Sequence, residues 1–124
     1  DKKELYLTYK GKYQGNIVAW VDGVCVAVRL HQRDKENLQN VATRKCDYYH
    51  RRTDETKEVV VGNTEGYQIG SLLSQPENSD NVTYLYLYTG DNGYLEISID
   101  IIDFKNEGYV NLAKQLLSSL VVTK

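Results

Sequence analysis

Residues 82–102 read VTYLYLYTGDNGYLEISIDII, two runs that alternate at period two around a Gly/Asp/Asn cluster. That pattern predicts a β-hairpin. A two-residue Asn92-Gly93 turn would set Tyr88 opposite Ile97 and Leu87 opposite Ser98, mixing apolar and polar residues on both faces. A three-residue loop of Asp91, Asn92 and Gly93 instead pairs Leu87 with Ile97, Leu85 with Ile99 and Thr83 with Ile101. On the other face it pairs Tyr88 with Glu96, Tyr86 with Ser98 and Tyr84 with Asp100. Such loops close on a residue at positive φ, and Gly93 stands at that place. A slip of one residue would turn every aliphatic side chain to the wrong side, so the three-residue loop is the expected solution.

Upstream, Glu4 to Tyr9 alternates as a strand, and Asn16–Val21 and Val24–Leu30 flank Asp22-Gly23, a two-residue hairpin signal. That turn pairs Val21 with Val24, Ala19 with Val26 and Ile17 with Val28. The opposite face carries Trp20 beside Cys25 and is also fairly apolar, so cover on both sides of the sheet is expected. Residues 34–50 then switch to helical spacing: Leu38, Val41, Ala42, Cys46 and Tyr49 share a stripe, with Asp34 as the cap. Residues 51–57 form a charged, solvated connection, Glu58–Val61 a short strand, and 66–73 a strand or a turn of helix. Residues 74–81 hold the only proline and read as a loop; Asn81-Val82-Thr83 matches a glycosylation acceptor pattern. Residues 107–120 form a second amphipathic helix capped by Asn106, with Tyr109, Leu112, Ala113, Leu116, Leu117 and Leu120 on its apolar stripe.

These elements predict an α+β single domain spanning 1–124. Its core is a mainly antiparallel twisted sheet of about five to six strands, with helices 34–50 and 107–120 one on each face. A chain of 124 residues is long enough to bury a core without a metal. A net charge of −2 with mixed signs provides neither a basic stripe for nucleic acid nor a polybasic membrane patch. No apolar run approaches the roughly 18 residues of a membrane span. The opening DKKELYLTYK has no methionine and reads as a mature product or a trimmed chain.

Cys25 and Cys46 are the only cysteines. If the first helix covers the face of the strand that precedes it, their sulfurs meet. A bridge closing that loop is worth about 3 kcal/mol in the chain-entropy model. It implies an oxidising, periplasmic or secreted location; two buried free thiols in a cytosolic protein are the alternative.

Catalytic signals are few. His31 ends a strand and His50 ends a helix, both readable as surface groups; a small hydrolase using either is the enzyme alternative. No metal-ligand spacing, phosphate-cradling loop or nucleophile elbow is present, and no cofactor is implied. Glu96 and Asp100 share a face, but four residues at about 3.3 Å each put their backbones roughly 13 Å apart. That is too far for cooperating carboxylates. The chain is expected to be non-enzymatic.

Eleven tyrosines and no methionine draw attention to the face carrying Tyr84, Tyr86, Tyr88, Tyr94, Glu96 and Asp100. Tyrosine offers contact area, few rotors and a hydrogen-bonding tip, so an exposed face of this kind suits protein docking. The partner would be another protein, of toxin or hydrolase class, and the chain an inhibitor or immunity-type protein; a homodimer is compatible. If the first helix covers the tyrosines, loops 51–56 and 74–81 become the contact sites.

GYLEISID at 93–100, a terminal amphipathic helix ending LLSSL at 116–120, and GYQIGSLL at 66–73 before the tyrosine strand resemble the C-terminal half of PsbP-like α/β/α sandwich proteins. The resemblance implies a non-catalytic accessory, chaperone or lipoprotein-like role, or a small-ligand module with a pocket between sheet and helix. The front half departs from it: the early helix has no place here, and the cysteine pair has no counterpart. It carries over no functional residue.

Overall fold

The computed structural model describes residues 4–9, 12–14, 17–19, 23–72, 82–90, 92–103 and 108–120. The alternating runs become strands: β1 (Glu4–Tyr9), β2 (Lys12–Gln14), β3 (Ile17–Ala19), β4 (Gly23–Gln32), β5 (Thr56–Val61), β6 (Thr64–Ile69), β7 (Thr83–Tyr88) and β8 (Gly93–Ile102). The helically spaced runs become α1 (Leu38–Tyr48) and α2 (Tyr109–Ser118). Six strands form one antiparallel sheet in the order β1-β4-β8-β7-β6-β5, and β2 and β3 pair separately. The α+β architecture, the antiparallel sheet and the two helices are as the sequence leads one to expect.

The β7–β8 hairpin keeps its faces but shifts its register. Leu85 pairs with Ile97, Thr83 with Ile99, Tyr86 with Glu96, Tyr84 with Ser98 and Tyr88 with Tyr94, and the Thr89 N–H donates to the Gly93 carbonyl at 3.3 Å, so the turn lies between Thr89 and Gly93, one residue earlier than expected. The positive φ in its described part belongs to Gly90, at 102°, not to Gly93. The shift is an even number of residues, and alternation alone cannot detect it because every side chain stays on its side. Asp91 lies outside the described residues.

The expected hairpin of residues 16–21 with 24–30 does not form. β4 is flanked by β1, with Leu7 opposite Val26, and by β8, with Val26 opposite Ile99. With both edges of β4 taken, β3 pairs with β2 instead. Trp20 and Asp22 lie outside the described residues.

α1 starts later than residue 34 because Asp34 and Lys35 take φ of 54° and 66°, left-handed values that no right-handed helix accommodates. Asn37 caps it by accepting from the Asn40 N–H at 2.8 Å. The preceding turn is tied to the β7–β8 connection: Arg33 N–H donates to the Asn92 carbonyl at 2.8 Å, and Lys35 N–H to Asn92 Oδ1 at 2.8 Å. α2 is capped from the end of β8, where Asp103 Oδ2 accepts from the Gly108 and Tyr109 N–H groups, each at 3.1 Å. The expected cap, Asn106, lies outside the described residues.

Two apolar clusters result, one on each side of the sheet. Val24, Val26, Leu85, Leu87, Ile97, Ile99 and Ile101 meet Tyr109 and Ala113 of α2. Leu38, Val41, Ala42 and Cys46 of α1 meet Ile69, Tyr86 and Tyr94. The connection after α1 is less solvated than its charges suggest. Arg51, with a side chain 9% exposed, donates to Glu55 Oε1 at 2.7 Å and to the Val82 carbonyl at 2.7 Å. Its guanidinium holds the Glu55 carboxyl below the usual carboxylate range. Among the described residues, no helix is long and apolar enough to cross a membrane.

Candidate functional site

The tyrosine-and-acid face exists, but α1 lies across it. Tyr86 is fully buried, Tyr94 is 4% exposed and Glu96 2%, while Tyr84, Tyr88 and Asp100 are half-buried. The expected exposed docking surface therefore does not form at Tyr86, Tyr94 and Glu96. The reason is geometric: the Leu38–Val41–Ala42–Cys46 stripe needs an apolar surface, and the tyrosine rings supply it.

Glu96 is the node of this face. Its Oε2 accepts from the Tyr86 hydroxyl at 2.8 Å and from the Tyr49 hydroxyl at 3.0 Å. Lys45 Nζ stands 3.8 Å from Oε2, and His31 Nε2 and Arg29 Nη1 stand 3.4 and 3.9 Å from Oε1. A carboxylate this buried would be costly without such partners. Tyr49 stacks on Tyr84 with ring centroids 4.0 Å apart, and His31 on Tyr94 at 5.0 Å. Burial, reinforced by the Glu96 charge, pushes the Tyr84 phenol up to about 12. The same two causes push Tyr49 and Tyr86 higher still. The Tyr49 and Tyr86 phenols are donors held neutral, suited to tying the end of α1 to the sheet rather than to exchanging protons. Lys45 of α1 and Tyr49, which caps its C-terminal end, were not singled out for this role by sequence; only the placement of α1 over β7 reveals it.

His31 and His50 do not come together: His31 faces Glu96, whereas His50 lies exposed at the end of α1. Asp100 pairs in register with Cys25, and burial, then the Asp100 charge, raises the Cys25 thiol.

Cys25 and Cys46 are free thiols, so the expected disulfide is absent. Cys46 sits beside β5, its Sγ 3.1 Å from Thr56 Oγ1. Cys25 is on β4, four strands away in the sheet order. At about 4.8 Å per strand that is roughly 19 Å, against the roughly 4.4–6.8 Å between Cα atoms that a bridge spans. α1 crosses to the far side of the sheet instead of folding back over β4, because the strand it leads into is the far edge.

Two concavities are lined wholly by described residues named below, and the Glu96 node lines neither. One, of about 240 Å³, opens between α2 and the β4–β8 region, with Val26, Val28 and Ile97 as floor and Leu116, Leu117 and Leu120 as wall. The other, of about 430 Å³, lies over β5, β6 and β7 beside Glu58, Val60, Glu65, Tyr67 and Tyr88. Glu58, Glu65 and Tyr67 were not read as site residues from sequence; their one signal is a pair of acids on strands that pair with each other. No group of histidine, cysteine and carboxylate side chains suited to a metal occurs among the described residues. Loop 74–81 and Asn81 lie outside the described residues. Comparison with known proteins returns no matching family model, no matching curated protein and no matching solved structure.

Proposed function

We propose that the chain is a non-enzymatic binding module that holds a small apolar group, such as one short hydrocarbon chain, between α2 and the sheet. The observation that carries this reading is the groove of about 240 Å³, whose floor and wall are aliphatic from end to end except for Ser119 at its rim. A pocket between sheet and C-terminal helix is also what the resemblance to PsbP-like proteins implies. Its volume falls just below the roughly 300–1,000 Å³ of pockets for drug-sized ligands, which favours a chain of a few methylenes. Six buried methylenes at about 0.8 kcal/mol each would contribute on the order of 5 kcal/mol. That corresponds to a dissociation constant of about 10⁻⁴ M.

Octanoate titrated into the isotope-labelled protein should shift the methyl resonances of Val26, Val28, Leu116 and Leu120 saturably. Leu116→Gln combined with Leu120→Gln should abolish that response while the Tyr86 and Ile69 signals stay in place. Shifts that never saturate, or that persist in the double variant, would refute the assignment. An inhibitor or immunity-type role through the tyrosine face loses its support, because α1 covers Tyr86 and Tyr94. The cysteines no longer argue for export; a cell-envelope setting rests on the resemblance alone.

A further inference from the structure

The second concavity has a different chemistry, and we infer that it is a socket for an arginine side chain presented by a protein partner. Among the described residues β5 is an edge strand of the sheet, paired with β6 alone. Glu58 pairs in register with Tyr67, and Val60 with Glu65, so Tyr67 has one carboxylate directly across from it and a second two residues away on its own strand. Directly paired residues project to the same face of a sheet. Burial, then the neighbouring Glu58 and Glu65 charges, raise the Tyr67 phenol.

These carboxylates differ from the others nearby. Glu36, Asp54, Glu55 and Glu96 each have a basic partner, whereas Glu58 and Glu65 have none among the described residues. Both are exposed, and the cavity beside them is open to a partner. Val60, 71% exposed, offers an apolar surface for the methylenes of a long side chain. The chain itself shows how its tyrosines receive a cation: the Arg33 guanidinium lies 5.2 Å from the centre of the Tyr88 ring. No cation occupies the Tyr67 ring among the described residues.

A planar guanidinium can lie on that ring while its in-plane N–H groups donate to carboxylates on either side. An ammonium, a compact and strongly hydrated charge, satisfies only part of this arrangement. Arginine is therefore the better fit, and the partner is a protein with an exposed arginine on a segment able to lie beside the β5 edge. The socket is on the opposite side of the sheet from the α2 groove and does not depend on it.

The test is fluorescence polarisation with a labelled five-residue peptide carrying a central arginine, set against its citrulline and lysine counterparts. The arginine peptide should bind saturably, at least tenfold more tightly than the citrulline peptide and several-fold more tightly than the lysine peptide. Glu58→Gln with Glu65→Gln should weaken it at least tenfold with no change in melting temperature. Val60→Lys, which supplies a competing cation at an exposed position, should do the same, and Leu116→Gln should leave binding intact. Equal binding of the citrulline or lysine peptide would overturn the proposal. So would unchanged affinity in the double glutamate variant or in Val60→Lys.

Discussion

The two faces of the sheet are closed by helices of nearly equal length, yet to very different degrees. Under α1, four helix residues are buried and the aromatic floor is tied to the helix through Glu96. Under α2 the floor is just as buried, but only Tyr109 and Ala113 of the helix are, and Leu116 is 42% exposed. The difference follows from the chemistry of each floor. Phenols and a carboxylate must be sealed with directional partners, because an unpaired polar group left dry costs about 1–3 kcal/mol. Aliphatic side chains have no directional requirement and tolerate a loose cover. Looseness on the second side is what leaves a groove.

The widest gap between the faces should appear on truncation. Tyr86→Ala is expected to cost about 3–5 kcal/mol in urea unfolding, whereas Leu116→Ala should fall within about 0.5 kcal/mol of the parent. Equal costs would erase the contrast. Alkali should come next. Free tyrosine titrates near pH 10, so between about pH 10 and 12 the unfolded chain releases protons that half-buried Tyr84 keeps. Stability is then whole below pH 10 and falls as the pH rises through that window, by about 2 kcal/mol at most from this one group. Denaturation followed from pH 8 to 12 checks the slope, and Tyr84→Phe should make it shallower by one group's share, the remainder coming from Tyr49 and Tyr86. On the other side, Asp103→Ala should cost about 1 kcal/mol by uncapping α2. Hydrogen exchange should accelerate at Gly108 and Tyr109 while α1 amides are unaffected. The smallest effect is Leu116→Gln, within about 0.5 kcal/mol for folding yet damaging to octanoate binding.

Much of this contrast was legible in the residues, and the parts that were not share a cause. Period-two alternation correctly divided Leu85, Leu87, Ile97 and Ile99 from Tyr84, Tyr86 and Glu96, because parity is a local property. Register is not: Tyr88 meets Tyr94 rather than Glu96, and an even shift leaves parity intact. The Asp22-Gly23 signal was also local, and it lost to the non-local pairing of β4 with β1 and β8. The cysteine argument failed through the same kind of gap. Helical spacing correctly placed Cys46 on the buried stripe, but nothing in the spacing said which strands that stripe would cross. The Glu96 node joins residues from β4, α1, β7 and β8, so its acid, Tyr86 and His31 could be flagged singly beforehand but not joined.

Asp103 and Tyr109 pin the leading turn of α2, while its trailing leucines rest half in water. The helix is thus a lever with its fulcrum near Tyr109. From there to Leu120 is about 16 Å at about 1.5 Å per residue, so a pivot of about 10° moves the far end roughly 3 Å. On the proposed reading, a wider guest would be accommodated by a swing of that one helix rather than by any yielding of the sheet beneath.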